Sequence, residues 1–155
     1  RVGHTVGTIL GSSGIPYIAF DTEQARVAEF SHQGHPVFYG DVTDLDLLVA
    51  VHIEKMDLVV LTLDDRKAAL RATTLIRDLA PNTTIVARAR DLDTSDALLR
   101  AGANKAFPEA LEASLRLSAE ALESLGVASE DTDMLMRGVR RTDYALVREE
   151  GDAKH

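Results

Sequence analysis

"LVVLTLDD", residues 58–65, is the stretch on which the fold turns. Its first six residues are apolar apart from Thr62, with no alternation, and it ends on two acids. A near-continuous apolar run of this length fits a parallel strand buried on both faces. A helical pattern begins at once, from Arg66 to Leu79, and Pro81 and Asn82 mark its end. "TIVARARD" (84–91) reads as the next strand, Ser95 to Ala101 as a helix with Gly102 as its cap, and "NKAFP" (104–108) as a last short strand. Working back from Leu58, Asp44 to Val51 is a short helix and "PVFYGD" (36–41) a strand. Thr22 to Gln33 is a helix capped by Asp21 or Thr22, and Ile15 to Phe20 a strand. Before them, Val2, Val6, Ile9 and Leu10 share one helical face, and "GSSG" (11–14) closes that helix. Strand and helix alternating at this spacing predict an α/β protein with a Rossmann-like, doubly wound parallel sheet over residues 1–108.

Residues 109–155 have a different texture. "EALEASLRLSAEALESLG" (109–126) lines up Leu111, Leu115, Leu122 and Leu125 along one side. A second helical stretch runs from about Ser129 to Glu149, and "GDAKH" reads as a frayed end. This part is expected to be a crossover helix and a C-terminal helical arm. Such an arm packs on a neighbour or folds back on its own sheet.

Composition narrows the function. A chain of 155 residues with 45% apolar content has enough material for a full core. No apolar stretch approaches the roughly 20 residues of a membrane-spanning helix, and no secretory signal pattern is visible. Cysteine is absent, which removes thiolate nucleophiles, disulfides and Cys-ligated zinc together. The formal charge of −8 argues against a nucleic-acid groove; the basic run "RGVRRTDY" (137–144) is flanked by acids and reads as a solvated helix face. His4, His32, His35, His52 and His155 show no metal-ligand or triad setting, and most read as surface residues. Ser12, Ser13 and Ser114 lack a G-x-S-x-G context. No catalytic or metal-binding residue is therefore expected.

The opening "RVGHTVG" starts directly on a helix. Gly3 sits where the third glycine of G-x-G-x-x-G belongs, and Asp21 follows it by 18 residues. An acid about 20 residues beyond that fingerprint is the ribose partner of dinucleotide-binding domains. This reading expects a strand and the first two glycines ahead of Arg1. Backbone N–H groups near Val2 and Gly3 would receive phosphate, and Arg1 would add a charge-assisted bond. Asp21 would accept from the ribose hydroxyls and repel a 2′-phosphate, or else cap the following helix. Asp21, Asp41 and Asp64 all end strands, at the edge where open α/β sheets bind ligands.

Together, "RVGHTVG", "IPYIAFD", "PVFYGDVTD", "VVLTLDD", "IVARARD" and "AGANKAFPEALEASLRLSAEALESLG" resemble the regulator-of-potassium-conductance domain, also called the TrkA N-terminal domain. The tail "TDMLMRGVRRTDYALVRE" looks like the version attached to Kef-type monovalent cation/proton antiporters. The resemblance implies a cytosolic homodimer on the inner face of the plasma membrane. It would bind NAD(H), AMP or another adenine nucleotide and gate an upstream transmembrane antiporter domain. It implies that Arg1, Val2 and Gly3 form the phosphate turn and that Asp21 is the ribose acid. Asp41 and Val42 would lie beside the adenine, Thr62 and Asp64 across the cleft, and Arg88 near it. "FPEALEASL" departs from the charged segment of glutathione-responsive members, so no glutathione site is carried over. The rivals are a fragment of an NAD-dependent oxidoreductase and a soluble TrkA-type potassium-uptake subunit. The first needs a substrate domain and an acid/base group, the second a C-terminal ligand-binding domain, and neither is visible in this chain.

Overall fold

The structure is a computed structural model that describes residues 2–152; Arg1 and residues 153–155 lie outside the described residues. The chain divides into two compact units, residues 1–108 and 109–155.

In the first unit, helix α1 (Val2–Ser12) leads to β1 (Ala19–Asp21), α2 (Gln24–His32), β2 (Val37–Tyr39) and α3 (Leu45–Ala50). A 3-10 turn at Ile53–Lys55 then precedes β3 (Leu58–Leu61), α4 (Arg66–Leu79), β4 (Thr84–Ala89), α5 (Leu92–Ala101) and β5 (Lys105–Pro108). All strand pairs are parallel. β1 pairs with β2, while β3, β4 and β5 form a second group with β4 in the middle. This is a Rossmann-like arrangement of parallel sheet and flanking helices. The two strand groups part between β1 and β3. Between them lies a cleft of about 430 Å³, walled by Ile18 to Asp21 on one side and Leu58 to Leu63 on the other.

The core explains why these elements hold. On β4, Ile85, Ala87 and Ala89 are each at most 2% exposed, the period-2 signature of one strand face. α4 lays Ala69, Ala72, Thr73 and Ile76 on the core, at helical spacing. Leu48, Leu61 and Leu98 belong to the same cluster. At the amino end of the sheet Arg77 acts as a tie. Its guanidinium donates to the carbonyls of Gly102, Ala80, Pro81 and Thr83 and to Asn104 Oδ1, at 2.7–3.0 Å. Asn104 Oδ1 also accepts from the Ile85 N–H. Gly102 stands there at φ +121, and a Cβ on it would come within 2.7 Å of Arg77 Cγ.

Several boundaries differ from the sequence expectation. β1 covers three residues, not Ile15 to Phe20, because Ala19–Asp21 alone finds a partner in β2. α5 starts at Leu92 instead of Ser95, since Asp91 accepts from the Thr94 N–H at 2.8 Å and so caps the helix. α2 starts at Gln24 with Glu23 as its N-cap residue, so neither Asp21 nor Thr22 holds that place.

In the second unit α6 (Glu109–Ser124) turns at Gly126, φ +95, into α7 (Ser129–Arg141). Leu115 is buried, but Leu125 is 83% exposed, so the leucine row expected along one side is not buried as a unit. The long C-terminal helix is broken. Asp143 and Tyr144 both adopt positive φ, at 53 and 60, and α8 (Ala145–Asp152) starts afresh. The break is fastened by Glu112 on α6. It accepts from the Tyr144 hydroxyl at 2.6 Å and from Arg140 Nε and Nη2 at 2.9–3.1 Å. The positive-φ residues are a strained backbone that these bonds over-determine. Burial, the bond to Glu112 and its charge push the Tyr144 hydroxyl up to about 12.

Candidate functional site

The carboxyl ends of β1 and β3 carry the residues of interest. α1 begins at Val2, next to the end of β3. A Cβ built on Gly3 would lie 2.9 Å from Thr62 Oγ1, so only glycine lets this helix approach the strand end so closely. One turn further, a Cβ on Gly7 would meet the Tyr17 hydroxyl at 2.9 Å. The glycine spacing of "GHTVG" is thus set by what α1 rests on. With its first N–H groups lacking helical partners, this end of α1 suits an anion.

Asp21 ends β1. Its Oδ1 accepts from the Glu23 N–H at 2.8 Å, an Asx turn rather than a helix cap. Arg26 of α2 grips both oxygens, Nε to Oδ2 at 2.9 Å and Nη2 to Oδ1 at 3.2 Å, and also reaches Glu23. Burial works to raise the Asp21 pKa, but the Arg26 bond, the Glu23 N–H and the Arg26 charge outweigh it and hold the carboxyl below its ordinary value. An ionised, aimed acceptor is the result.

Asp41 ends the segment after β2. It accepts from the Thr43 N–H at 2.9 Å and the Thr43 hydroxyl at 2.6 Å, and these two bonds lower its pKa. Its side chain therefore builds the turn into α3, and Val42 beside it packs on the core.

Beyond β3 the register sets a second group. Leu61 pairs with Ala87, which brings Thr62 level with Arg88. Arg88 Nη1 donates to the Thr62 carbonyl at 3.3 Å, and its Nη2 stands 3.6 Å from Asp64 Oδ1. Arg90 Nη2 contacts the same Asp64 oxygen at 3.4 Å. Next to them Arg66, in the first turn of α4, binds Asp93 at 2.6 Å. Gly3, Thr62, Arg88, Asp64 and Arg90 thus form one chain of contacts along the sheet edge.

The expected residues Val2, Gly3, Thr62, Asp64 and Arg88 come together here. Asp21 lines the cleft between the strand groups together with Gly3, Val42 and Thr62, whereas Asp41, Asp64 and Arg88 do not line it, and Arg1 is outside the described residues. Sequence reading missed Arg26 and Arg90. Arg26 carries a usable signal, because an arginine five residues after a strand-ending acid faces back across the first helical turn. Arg90 was visible in "ARARD", where strand alternation places it beside Arg88. His4 and His35, read as surface residues, instead belong to an aromatic cluster. His4 stacks on Phe30 at 4.3 Å with His35 edge-on, and His35 Nδ1 meets the Tyr17 hydroxyl at 3.1 Å. His32 and His52 are exposed.

Residues 1–109 match a known family model, the TrkA-N domain. The chain belongs to the TrkA-N family. Among relatives of this TrkA-N chain, the glutathione-regulated potassium-efflux system protein KefC of Cronobacter sakazakii is 36% identical over 129 residues, 83% of this chain. The chain spans between 21% and 24% of the length of the curated relatives it matches. Among solved structures, the Shewanella denitrificans Kef CTD in AMP-bound form is 29% identical, with a TM-score of 0.77, covering 96% of this chain and 90% of that one. The TrkA-N domain of the inner membrane protein ybaL from Escherichia coli is 27% identical, with a TM-score of 0.72, covering 79% and 90%. Among the described residues of this TrkA-N chain no group of three or more His, Cys, Asp or Glu side chains could hold a metal, and no helix is long and apolar enough to cross a membrane.

Proposed function

We propose that residues 1–108 are a nucleotide sensor that regulates an attached potassium (monovalent cation)/proton antiporter, and that the chain senses rather than catalyses. The observation that carries this is the pairing of Gly3, closed down on Thr62 at the start of α1, with the ionised Asp21 at the end of β1. One end suits phosphate and the other suits a ribose diol, which is the chemistry of an adenine nucleotide. The relatives are potassium-efflux proteins, and a structural neighbour was solved with AMP, which supports AMP or NAD(H) as the ligand here.

In this reading Val2 and Gly3 cradle the phosphate with Arg1, Asp21 takes the ribose, and Asp41 and Val42 stand beside the adenine. Thr62, Asp64 and Arg88 close the far side. Residues 109–155 would mediate a homodimer and transmit the ligand's effect to an upstream transmembrane domain from the cytoplasmic face. Ligand shifts such an equilibrium only through different affinities for its two states.

Calorimetric titration of AMP, ATP, NAD, NADH and NADP into the full chain tests the proposal. Micromolar binding of at least one is expected, with NADP weaker than NAD because Asp21 repels a 2′-phosphate. Asp21→Ala should weaken binding about ten- to a hundredfold, the equivalent of about 1.5–3 kcal/mol for hydrogen bonds to a charged group. Unchanged affinity in that variant would remove Asp21 from the site.

A further inference from the structure

Helix α2 is seated on the first unit by few side chains. No residue of it is fully buried, and only Val27 and Phe30 are half-buried. Phe30 lies one turn beyond Arg26, at i+4 on the same face. Its ring stacks on His4 in the first turn of α1, with centroids 4.3 Å apart and planes 17° from parallel. His35, just ahead of β2, stands perpendicular to both rings, at 5.0 Å from His4 and 6.5 Å from Phe30. A hydrogen bond of 3.1 Å joins His35 Nδ1 to the Tyr17 hydroxyl, which lies beside Gly7 of α1. One cluster of four half-buried rings thus ties α1, α2 and the segments leading into β1 and β2.

What the cluster fixes is the arginine one turn away. Arg26 holds both oxygens of Asp21, at 2.9 and 3.2 Å, yet its side chain is 44% exposed. An exposed arginine keeps one geometry only as well as its helix keeps its place. Arg26 moves with α2, and Phe30 is one of the two side chains that seat α2. Building on the nucleotide reading, we infer that Phe30, His4 and His35 are positioning residues for Asp21: by seating α2 on α1 they aim the carboxylate, through Arg26, at a ribose diol. They act on the acceptor and not on the ligand itself. A preorganised acceptor loses less freedom on binding, so the cluster raises affinity for the ribose hydroxyls and leaves the phosphate end of the site as it is.

The test compares AMP with 2′-deoxyadenosine monophosphate by calorimetry in the full chain and in three variants. Phe30→Leu keeps apolar bulk without a ring, His4→Ala removes the stacking partner, and His4→Phe keeps a ring there. The wild-type chain is expected to prefer AMP. Phe30→Leu and His4→Ala should each weaken AMP about three- to tenfold and leave the deoxynucleotide within about twofold, whereas His4→Phe should retain the preference. A merely structural loss lowers both nucleotides alike and cancels in their ratio. A ratio unmoved by Phe30→Leu and His4→Ala therefore overturns the inference and leaves the nucleotide reading intact. Carboxyl NMR titration of Asp21 tests the same positioning without ligand. Burial raises the pKa of that group, and the Arg26 bond, the Glu23 N–H and the Arg26 charge outweigh it. Phe30→Leu should let the carboxyl titrate nearer its ordinary value, and an unchanged titration overturns the inference. Failure of both nucleotides to bind the wild-type chain overturns the nucleotide reading, and the titration then decides the positioning by itself.

Discussion

Two carboxylates of this chain meet arginine in opposite ways. Glu112, in the second unit, has both oxygens held by Arg140 and one also by the Tyr144 hydroxyl, and its side chain is 24% exposed. Asp64, at the sheet edge, shares one oxygen between two arginines at loose distances and is mostly exposed. The first arrangement fixes a backbone that would not otherwise stay bent. The second is a loose, solvent-screened contact that fixes little. Asp21 lies between them: Arg26 aims it, yet its partner side chain is 44% exposed. The same pair of side-chain types thus holds tightly or loosely, and the difference lies in burial and in the number of bonds.

The comparison breaks most readily at Glu112. Glu112→Ala leaves Tyr144 and Arg140 without that acceptor and should cost about 2–4 kcal/mol, read as a lower urea midpoint. Tyr144→Phe removes one bond to a charged acceptor and should cost about 1.5–3 kcal/mol. The same variant sharpens the comparison through pH. The Tyr144 hydroxyl is raised from 10.0 to about 12 in the folded chain, so the folded state keeps its proton where the unfolded state loses it. Stability from this group is therefore complete below about pH 10 and lost as pH rises towards 12, and Tyr144→Phe should flatten that decline in alkaline unfolding curves. Arg26→Ala should have the smallest effect, a change in unfolding free energy below about 1 kcal/mol, because Arg26 itself is 44% exposed. In acid the sign reverses. The lowered Asp21 pKa contributes stability above the ordinary carboxylate value and loses it as pH falls, and Arg26→Ala should shrink that acid decline.

Much of the first unit could be read from the amino-acid sequence because its signals are local. The run Leu58 to Leu61, the helix Arg66–Leu79 and Gly102 at its positive φ each follow from neighbours in the chain. The positions of Gly3 in the first turn of α1 and of Asp21 at the end of β1 were also legible, through a spacing that a strand and one helix impose. What escaped depends on partners far apart in sequence. Nothing near Tyr144 announces a break in a helix, and the residue that fastens it, Glu112, lies 32 positions earlier. The engagement of Asp64 by Arg88 and Arg90 depends on the register of β3 against β4, which no single segment contains. Likewise, Ile15 to Ile18 look like strand by composition and remain outside β1, because strand is defined by a partner and not by apolarity.

The Glu112–Tyr144 contact also bears on time. Helices α6 and α7 are built from local contacts and form quickly, whereas a bond spanning 32 positions must wait for the loop between them to close. A contact made after the main barrier changes the rate of leaving the folded state and hardly the rate of reaching it. Glu112→Ala is therefore expected to raise the unfolding rate more than it lowers the folding rate, shortening the life of the bend at Tyr144 through a residue that belongs to neither of the helices the bend joins.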